Sequence, residues 1–342
     1  MKIIKSIQAL RSVAFLLIFC SHCTFIEVFS AAWGGIGVSI FVVLSGFMVT
    51  YKLDFTKQID DLKALAYTRK RICKIFPLHI LMLSIRLLFD YRHNIYTSKI
   101  VIFLNVTMLK SFVPIQEVYY SLGGATWYLT LIWVFALFTP LLLKIIKNNK
   151  EHLPRIFLIV ALFRVVWILA FHNSEISQWL TYVNPIFRLT DYFLGMLAGV
   201  SYMAVKNKLV VLEKHYLKME IITWGILIVY VVLLSLDKTE WYSVYIRTFL
   251  SLSLIGIFIF AECASTLRQK LIYENPLLIY IGNISFELFL IHIHVRNYVS
   301  YAFRKLNITN SILQLFIIFI LSIVIAQLYC TLVTCLKRIN SK

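Results

Sequence analysis

The chain has 342 residues, of which 60% are hydrophobic and only 15% are charged, and its mean hydropathy is +0.82. A soluble domain has about a quarter of its residues charged, so this composition excludes an ordinary soluble protein. The net charge of +18 would suit a nucleic-acid-binding protein, and the positions of the charges decide that question.

Apolar stretches of roughly 17–25 residues, the length of a membrane-spanning helix, recur along the chain. Only helices and closed barrels satisfy their backbone in lipid, and these stretches are too long and too unalternating for barrel strands. We therefore predict an all-α integral membrane protein with about ten transmembrane helices. The predicted spans are residues 7–27, 34–52, 75–91, 125–143, 154–172, 185–205, 219–236, 242–261, 276–295 and 311–336.

The cations are distributed unevenly between the two sides of this bundle. With the N-terminus inside, the inner segments carry 22 of the 34 Lys and Arg residues, the outer segments seven and the spans five. Cationic loops stay cytoplasmic, so we expect both termini inside and no nucleic-acid partner. Residues 100–113 are apolar but short, and an eleventh span there would reverse this asymmetry. We expect them to form a re-entrant or interfacial outer helix.

The first span contains two ionisable residues, Arg11 and His22. They are eleven residues apart, which is almost three helical turns, so they share one face about 16 Å apart along the axis. A snorkelling arginine and a packed histidine would explain them without function. Because ionisable groups inside a membrane helix are expensive, we favour a polar cavity along this face.

The second span and the segment after it carry small residues and then cations. Ser45 and Gly46 follow other glycines, which permit close helix packing or leave room for a slender ligand. The segment from Arg69 to Lys74 is strongly basic. A topology signal or lipid-headgroup anchor explains it best on spacing alone, although phosphates of a nucleotide would bind it as well.

Later spans carry further polar candidates. Arg188 and Asp191 are three residues apart, so they can form a structural ion pair or a substrate site. Glu287 and His292 lie in the ninth predicted span, and Trp127 belongs either to an interfacial aromatic belt or to a sugar-stacking surface. Three further arginines within spans receive no role: Arg86, Arg164 and Arg247. The six cysteines are scattered, so we expect no metal site.

These motifs, taken together, resemble the acyltransferase-3 family of integral membrane acyltransferases from Ile7 to about Val295. Arg11 and His22 resemble the family's arginine, ten residues, histidine motif. Three further stretches are similar to family patterns: Gly37–Phe47, Tyr67–Pro77 and Gly282–His292, as is the run Arg188–Gly195. In two places the chain departs from the family: Lys74 replaces an arginine, which loses the bidentate fork, and Ile132 replaces a glutamate.

The resemblance implies a bacterial cytoplasmic-membrane enzyme that moves an acyl group, commonly acetyl from acetyl-CoA, to a hydroxyl of an extracytoplasmic glycan. It implies one domain over residues 1–342, without a fused SGNH domain, so transfer is direct or uses a separate partner protein. The implied catalytic residues are His22, as base or acyl carrier, and Arg11. The implied acyl-CoA-binding residues are Arg69, Arg71, Lys74, Ser45 and Gly46. The implied substrate-binding residues are Trp127, Arg188, Asp191, Glu287 and His292.

Two other functions fit the same composition. A secondary transporter or lipid-linked sugar flippase would also have intramembrane charges, but we find no convincing internal repeat and no matching glycine-proline breaks. A catalytically inactive sensor on the same fold is the third possibility, and the retained Arg11 and His22 argue against it.

Overall fold

A computed structural model describes residues 5–52, 63–205, 213–235, 243–263, 271 and 273–340, and no β-strand occurs among them. The helices are α1 (Lys5–His22), α2 (Trp33–Lys52), α3 (Ala64–Arg92), α4 (Lys99–Val106), α5 (Gln116–Tyr119), α6 (Tyr128–Asn148), α7 (Leu153–Phe171), α8 (Pro185–Val205), α9 (Glu213–Ser235), α10 (Ser243–Cys263), α11 (Pro276–Asn283), α12 (Ser285–Lys305) and α13 (Ser311–Asn340). Short 3-10 or π segments lie at Lys110–Phe112, Gly124–Trp127, Lys150–His152 and Trp179–Val183.

Helices occupy all ten positions where the sequence predicts spans, and the prediction of an all-α membrane protein is confirmed. Within the described residues, five helices are long and apolar enough to cross a bilayer: α2, α3, α6 with its preceding 3-10 turn, α7 and α13. The α11–α12 pair forms a sixth if it is one bent span. The number ten for the spans, and the cytoplasmic position of both termini, stay predictions. Eight cations used for the orientation lie outside the described residues: Lys2, Lys57, Lys206, Lys208, Lys238, Arg268, Lys270 and Lys342.

The ends of two helices differ from the prediction. Helix α1 ends at His22 and the chain turns there, whereas the predicted span continues to residue 27. Helix α3 begins at Ala64, eleven residues before the predicted start, and continues through Pro77. The basic segment therefore lies on helical turns and not in a loop. Residues on it that are three apart share a face, and those two apart do not.

The ninth predicted span is broken. Helices α11 and α12 meet at Ile284 with a bend of 76°. The break allows α11 to pack closely on α1: a side chain at Gly282 would collide with the Gln8 carbonyl, and the Ser12 hydroxyl donates a hydrogen bond to the Leu278 carbonyl. Ser285, at the start of α12, donates to the Gly282 carbonyl at 2.8 Å. The bend positions the first turn of α12 beside the middle of α1.

The centre of the bundle is formed by α2, which packs on α1 and α8. The α2–α8 contact is backbone to backbone, because a side chain at Gly46 would collide with the Tyr192 carbonyl and one at Gly195 with the Val43 carbonyl. Thr50 adds a hydrogen bond across the contact, to the Met196 carbonyl at 2.9 Å. The apolar windows of α7 and α13, in contrast, are only 11% and 17% buried, so these helices are peripheral and face lipid. Of these two peripheral helices, α7 nevertheless contributes a buried arginine, Arg164, to the interior.

Candidate active site

Two histidines from distant parts of the chain meet inside the bundle. Nδ1 of His22, at the end of α1, lies 2.8 Å from Nε2 of His292 on α12. The rings are stacked with their centroids 5.0 Å apart. Nδ1 of His292 lies 2.9 Å from the carbonyl oxygen of Leu288 in the previous turn. Phe15 and Phe19 of α1 also contact the His292 ring, with centroids 5.6 and 6.3 Å away.

This chain of contacts fixes the proton positions when both rings are neutral. A carbonyl oxygen only accepts, so His292 donates from Nδ1 to Leu288 and its Nε2 carries the lone pair. The Nε2 lone pair of His292 then accepts the Nδ1 proton of His22. His22 is left with its own lone pair on Nε2, the nitrogen that a general base or nucleophile uses. The hydrogen bond to His292 thus holds His22 in one tautomer, with the lone pair on Nε2.

His22 borders a cavity of about 710 Å³, which we call the His22 cavity. Its walls are rich in aromatic and polar side chains. The lining residues include Trp127, Tyr120, Tyr182, Gln178, Arg247 and Arg296. The backbone of Trp127 is held in position, because the Ser111 hydroxyl donates a hydrogen bond to its carbonyl oxygen at 2.7 Å. The volume and lining suit a sugar ring with hydrogen-bonding substituents.

Arg11 borders a second cavity of about 460 Å³, the Arg11 cavity. Arg71 and Lys74, on one face of α3, line it together with Ser45 of α2 and Glu287 of α12. Arg71 is held by Tyr67, whose hydroxyl accepts its hydrogen bond at 2.7 Å. Three cations and one carboxylate thus contribute to this cavity among the residues that line it. Such an excess of positive charge suits a phosphate-bearing ligand.

Phe289 borders both cavities and separates them. Its ring centroid lies 5.4 Å from that of Tyr128, 6.5 Å from Phe41 and 6.1 Å from His292. The Tyr128 and Phe41 side chains line the Arg11 cavity, and His292 supports His22 on the other side. Phe289 is therefore an aromatic partition that both cavities share.

A separate group of charged residues lies behind the wall of the His22 cavity. Asp191 of α8 pairs with Arg164 of α7 at 2.9 Å and with Arg188 at 2.7 Å. Thr248 donates to Asp191 at 2.7 Å, and Arg188 also donates to Ser39 at 3.2 Å. We call Arg164, Arg188 and Asp191 the ion cluster. Each exposes 3% or less of its side chain, so the cluster joins helices and does not line the cavity.

The structure therefore sorts the residues predicted from sequence into three groups. The cavities contain Arg11, His22, Ser45, Arg71, Lys74, Trp127 and Glu287. Glu287 and His292, both predicted on the substrate side, are about 140° apart around α12: Glu287 lines the Arg11 cavity, whereas His292 contacts His22 and lines neither cavity. Arg69 is exposed and lines neither cavity, since it is two residues from Arg71 on the helix. Gly46 lies in the α2–α8 contact and Arg188 and Asp191 lie in the ion cluster, which assigns these three to helix packing.

Sequence reasoning missed three residues that border the His22 cavity: Arg247, Arg296 and Phe289. Arg296 follows His292 by four residues, so the shared helix face was a usable signal. Arg247 could be recognised as a charge inside a span, but its position depends on how α10 packs. For Phe289, one of 26 phenylalanines, no sequence signal distinguishes a partition from ordinary core packing.

These features define a multi-pass membrane protein that encloses a histidine-based site within its helices. The chain belongs to the acyltransferase-3 family, because the family model described as an acyltransferase domain matches residues 4–331. The resemblance found in the sequence is thus confirmed, and the protein is a membrane acyltransferase. No curated protein sequence and no solved structure matches the chain.

Proposed function

We propose that this acyltransferase moves an acetyl group from cytoplasmic acetyl-CoA to a hydroxyl of an extracytoplasmic glycan, such as a capsular, surface or lipid-linked polysaccharide. The observation that carries the proposal is the His22–His292 pair, which presents a lone pair to a sugar-sized cavity. The proposed setting is a bacterial cytoplasmic membrane with both termini inside. Transfer is proposed to be direct, or to involve a separate partner protein.

The Arg11 cavity is the proposed donor site. Coenzyme A carries phosphates at one end and the acyl thioester at the other, on a slender arm. Arg71 and Lys74 are exposed at the cavity edge, where the phosphates would contact them. Arg11 lies farther along α1, near Glu287 and Tyr128. The arm would then run past Ser45 toward Phe289, which places the thioester at the partition.

The His22 cavity is the proposed acceptor site. In the base mechanism, Nε2 of His22 removes the proton of the acceptor hydroxyl while the hydroxyl oxygen bonds to the thioester carbonyl carbon. The carbon–sulfur bond breaks, and the proton passes to the departing sulfur, giving an ester and free coenzyme A. In the carrier mechanism, Nε2 itself bonds to the carbonyl carbon first, the carbon–sulfur bond breaks, and coenzyme A leaves as the thiolate. The hydroxyl oxygen then attacks the acyl-histidine, the carbon–nitrogen bond breaks, and the hydroxyl proton passes through the freed Nε2 to the thiolate. Both mechanisms use the same lone pair.

His292 has a positioning role in this scheme. While His22 holds the extra proton, its Nδ1 hydrogen bond to Nε2 of His292 persists, and the Leu288 carbonyl polarises the far side of the pair. A base oriented by a third group is the arrangement that activates nucleophiles in many acyl-transfer enzymes. Phe289 lines both cavities, which supports separate binding sites for donor and acceptor.

The test uses membrane vesicles that contain wild-type protein, His22→Ala or the control His152→Ala, with radiolabelled acetyl-CoA at the cytoplasmic face. His152 is an exposed histidine in the α6–α7 connection and borders neither cavity. We expect labelled glycan with wild type and His152→Ala, and a loss of about 10²- to 10⁴-fold with His22→Ala. Equal transfer with His22→Ala would exclude His22 from the chemistry. No transfer with any of them, at equal folded protein, would favour a transporter.

A further inference from the structure

The walls of the His22 cavity carry positive charge that acyl transfer to a neutral sugar does not require. Arg247 of α10 and Arg296 of α12 both line it, and no Asp or Glu is among the described residues that do. Trp127, Tyr120 and Tyr182 already provide the aromatic surfaces that a neutral sugar ring would stack on. The two arginines therefore need a separate explanation.

Arg247 is held with its guanidinium at the cavity wall. Its Nε donates to the Tyr230 hydroxyl at 3.2 Å, and its Cζ lies 5.6 Å from the centre of the Tyr182 ring. It also packs directly on Gly35, where any side chain would collide with the guanidinium. Because Gly35 itself lines the cavity, this glycine provides the space in which the charge sits.

Arg296 lies one turn beyond His292 and acts electrostatically on both histidines. Its Nε is buried without a hydrogen-bond partner. Among the described residues, no carboxylate lies within 4 Å of it, since the ion pairs there join other residues. A buried nitrogen donor without an acceptor is costly, and the Arg296 side chain as a whole is half-buried where it lines the cavity.

Asp191 pairs with Arg164 and Arg188 and is not among the residues that line the His22 cavity. Among the described lining residues, Arg247 and Arg296 are cationic and none is a carboxylate. Arginine forks pair with carboxylate and phosphate oxygens, so these two side chains suit an anionic ligand.

We propose that the acceptor is an anionic glycan, with a carboxylate or phosphate held by Arg247 and Arg296 close to the hydroxyl that is acylated. This inference rests on the proposed function and specifies its substrate class. Arg296, near His22, places the anion within about one sugar unit of the reacting oxygen. A uronic acid in the polymer and a sugar phosphate of a lipid-linked precursor offer the same chemistry to the two arginines.

Binding to the full-length protein in detergent separates these possibilities without requiring turnover. The probes share one pyranose ring: methyl glucoside, the methyl glycoside of glucuronic acid, and glucose 1-phosphate. Saturating coenzyme A is present throughout, so that the Arg11 cavity is occupied and does not collect anions. The variants are Arg247→Gln, Arg247→Lys, and Arg304→Gln as a matched control, because Arg304 is an exposed arginine near the end of α12 that lines neither cavity.

We expect one or both anionic probes to bind at least about tenfold more tightly than methyl glucoside, a difference of about 1.4 kcal/mol. Arg247→Gln should remove that preference, while Arg247→Lys and Arg304→Gln keep most of it. Preference for the glucuronoside identifies a carboxylate, and preference for glucose 1-phosphate identifies a phosphate. Equal binding of all three probes, or an anion preference that Arg247→Gln leaves unchanged at an unchanged melting temperature, would overturn the inference.

A separate assay on the same variants keeps this test apart from the proposed function. It measures His22-dependent release of coenzyme A from acetyl-CoA in membrane vesicles that contain the native glycan acceptor. Loss of this release refutes the proposed acyl transfer even if anions bind. Normal release together with equal binding of the three probes refutes only the anionic acceptor.

Discussion

The ion cluster and the His22–His292 pair are both sets of ionisable side chains inside the helix bundle, but their surroundings differ. In the ion cluster the charged side chains contact one another inside the protein: Asp191 pairs with Arg164 and Arg188 and accepts a hydrogen bond from the Thr248 hydroxyl, all within 2.9 Å. In the histidine pair, Nε2 of His22 has no hydrogen-bond partner among the described residues, and the His22 residue lines the cavity.

The difference shows how to interpret a polar residue in a membrane helix. Its cost in lipid makes it a candidate for function, yet the cost is also met by internal pairing that serves only to join helices. The informative property is whether the polar side chain lines a cavity that a ligand can enter. By that measure His22 and Arg296 are functional candidates, whereas Arg188 and Asp191 pair with each other away from both cavities.

The largest effect that tests this comparison is a loss of stability with Asp191→Asn. Removing the carboxylate charge leaves two buried arginines without their counter-ion, which costs about 3–5 kcal/mol for a buried pair. We expect a strongly lowered melting temperature and little folded protein in detergent. The control is Glu274→Gln at the Lys5–Glu274 pair, whose side chains are 57% and 28% exposed and whose loss should cost less than about 1 kcal/mol.

A different result would break the comparison. If Asp191→Asn melted at the wild-type temperature but lost acetyl transfer, the ion cluster would belong to the active site. Its arginines would then have to be counted with Arg247 and Arg296 in recognising the substrate.

The second effect concerns the partner histidine. His292→Phe removes the acceptor for the Nδ1 proton of His22 but keeps an aromatic ring against Phe15 and Phe19. We expect a loss of about 10- to 100-fold in turnover, because His22 no longer holds one tautomer. His292→Gln, whose amide oxygen also accepts a hydrogen bond, should retain more activity and give a shifted pH–rate profile. Equal loss with Phe and Gln, with an unshifted profile, would contradict a positioning role.

The sequence predicts those parts of the site that depend on residues close together in the chain. It does not predict contacts between residues far apart in the chain. Arg11 and His22 were placed on one face by helical spacing alone, and each borders a cavity that reaches Phe289. Helix positions followed from apolar length in the same local way. In contrast, the meeting of His22 with His292 joins residues 270 positions apart, and no local pattern encodes it.

The different surroundings of Glu287 and His292 follow from their spacing on α12. They are five residues apart, about 7.5 Å along the axis and about 140° around it, so Glu287 lines the Arg11 cavity while His292 contacts His22. Gly282 was present in the sequence as a signal. Its meaning as a close contact with the Gln8 carbonyl depends on the packing of α11 against α1, which one helix alone does not determine.

Lys110 is a buried cation that belongs neither to the ion cluster nor to the cavity walls. Lys110, in the segment between α4 and α5, exposes 1% of its surface and donates to the Ser121 carbonyl at 2.7 Å. It borders neither cavity, and among the described residues no carboxylate pairs with it. His79, His294 and Arg86 are its charged or titratable neighbours. Burial lowers the pKa of Lys110 from 10.5 to about 7.

Stability should therefore depend on pH through Lys110. Between its folded pKa of about 7 and its unfolded value of 10.5, the unfolded chain binds more protons, so the free energy of unfolding rises with pH. From pH 7 to 9 the gain from this one group is about 2 kcal/mol, and below pH 7 its penalty is complete and constant. Melting temperatures of wild type and Lys110→Met across this range test it. The difference between them removes contributions of the neighbouring histidines, and parallel curves would show that Lys110 is not titrating.

The smallest effect concerns the partition between the cavities. Phe289→Leu keeps an apolar side chain but removes the ring that contacts Tyr128, Phe41 and His292, and so widens the passage. If the partition excludes water from the thioester, the release of coenzyme A without transfer to glycan should rise severalfold, at nearly unchanged glycan acylation. The ratio of free acetate to acetylated glycan measures this. Phe163→Leu on the lipid-facing side of α7, where the side chain is 47% exposed, is the matched control. An unchanged ratio would mean that Phe289 only fills space between two cavities that the acyl group crosses elsewhere.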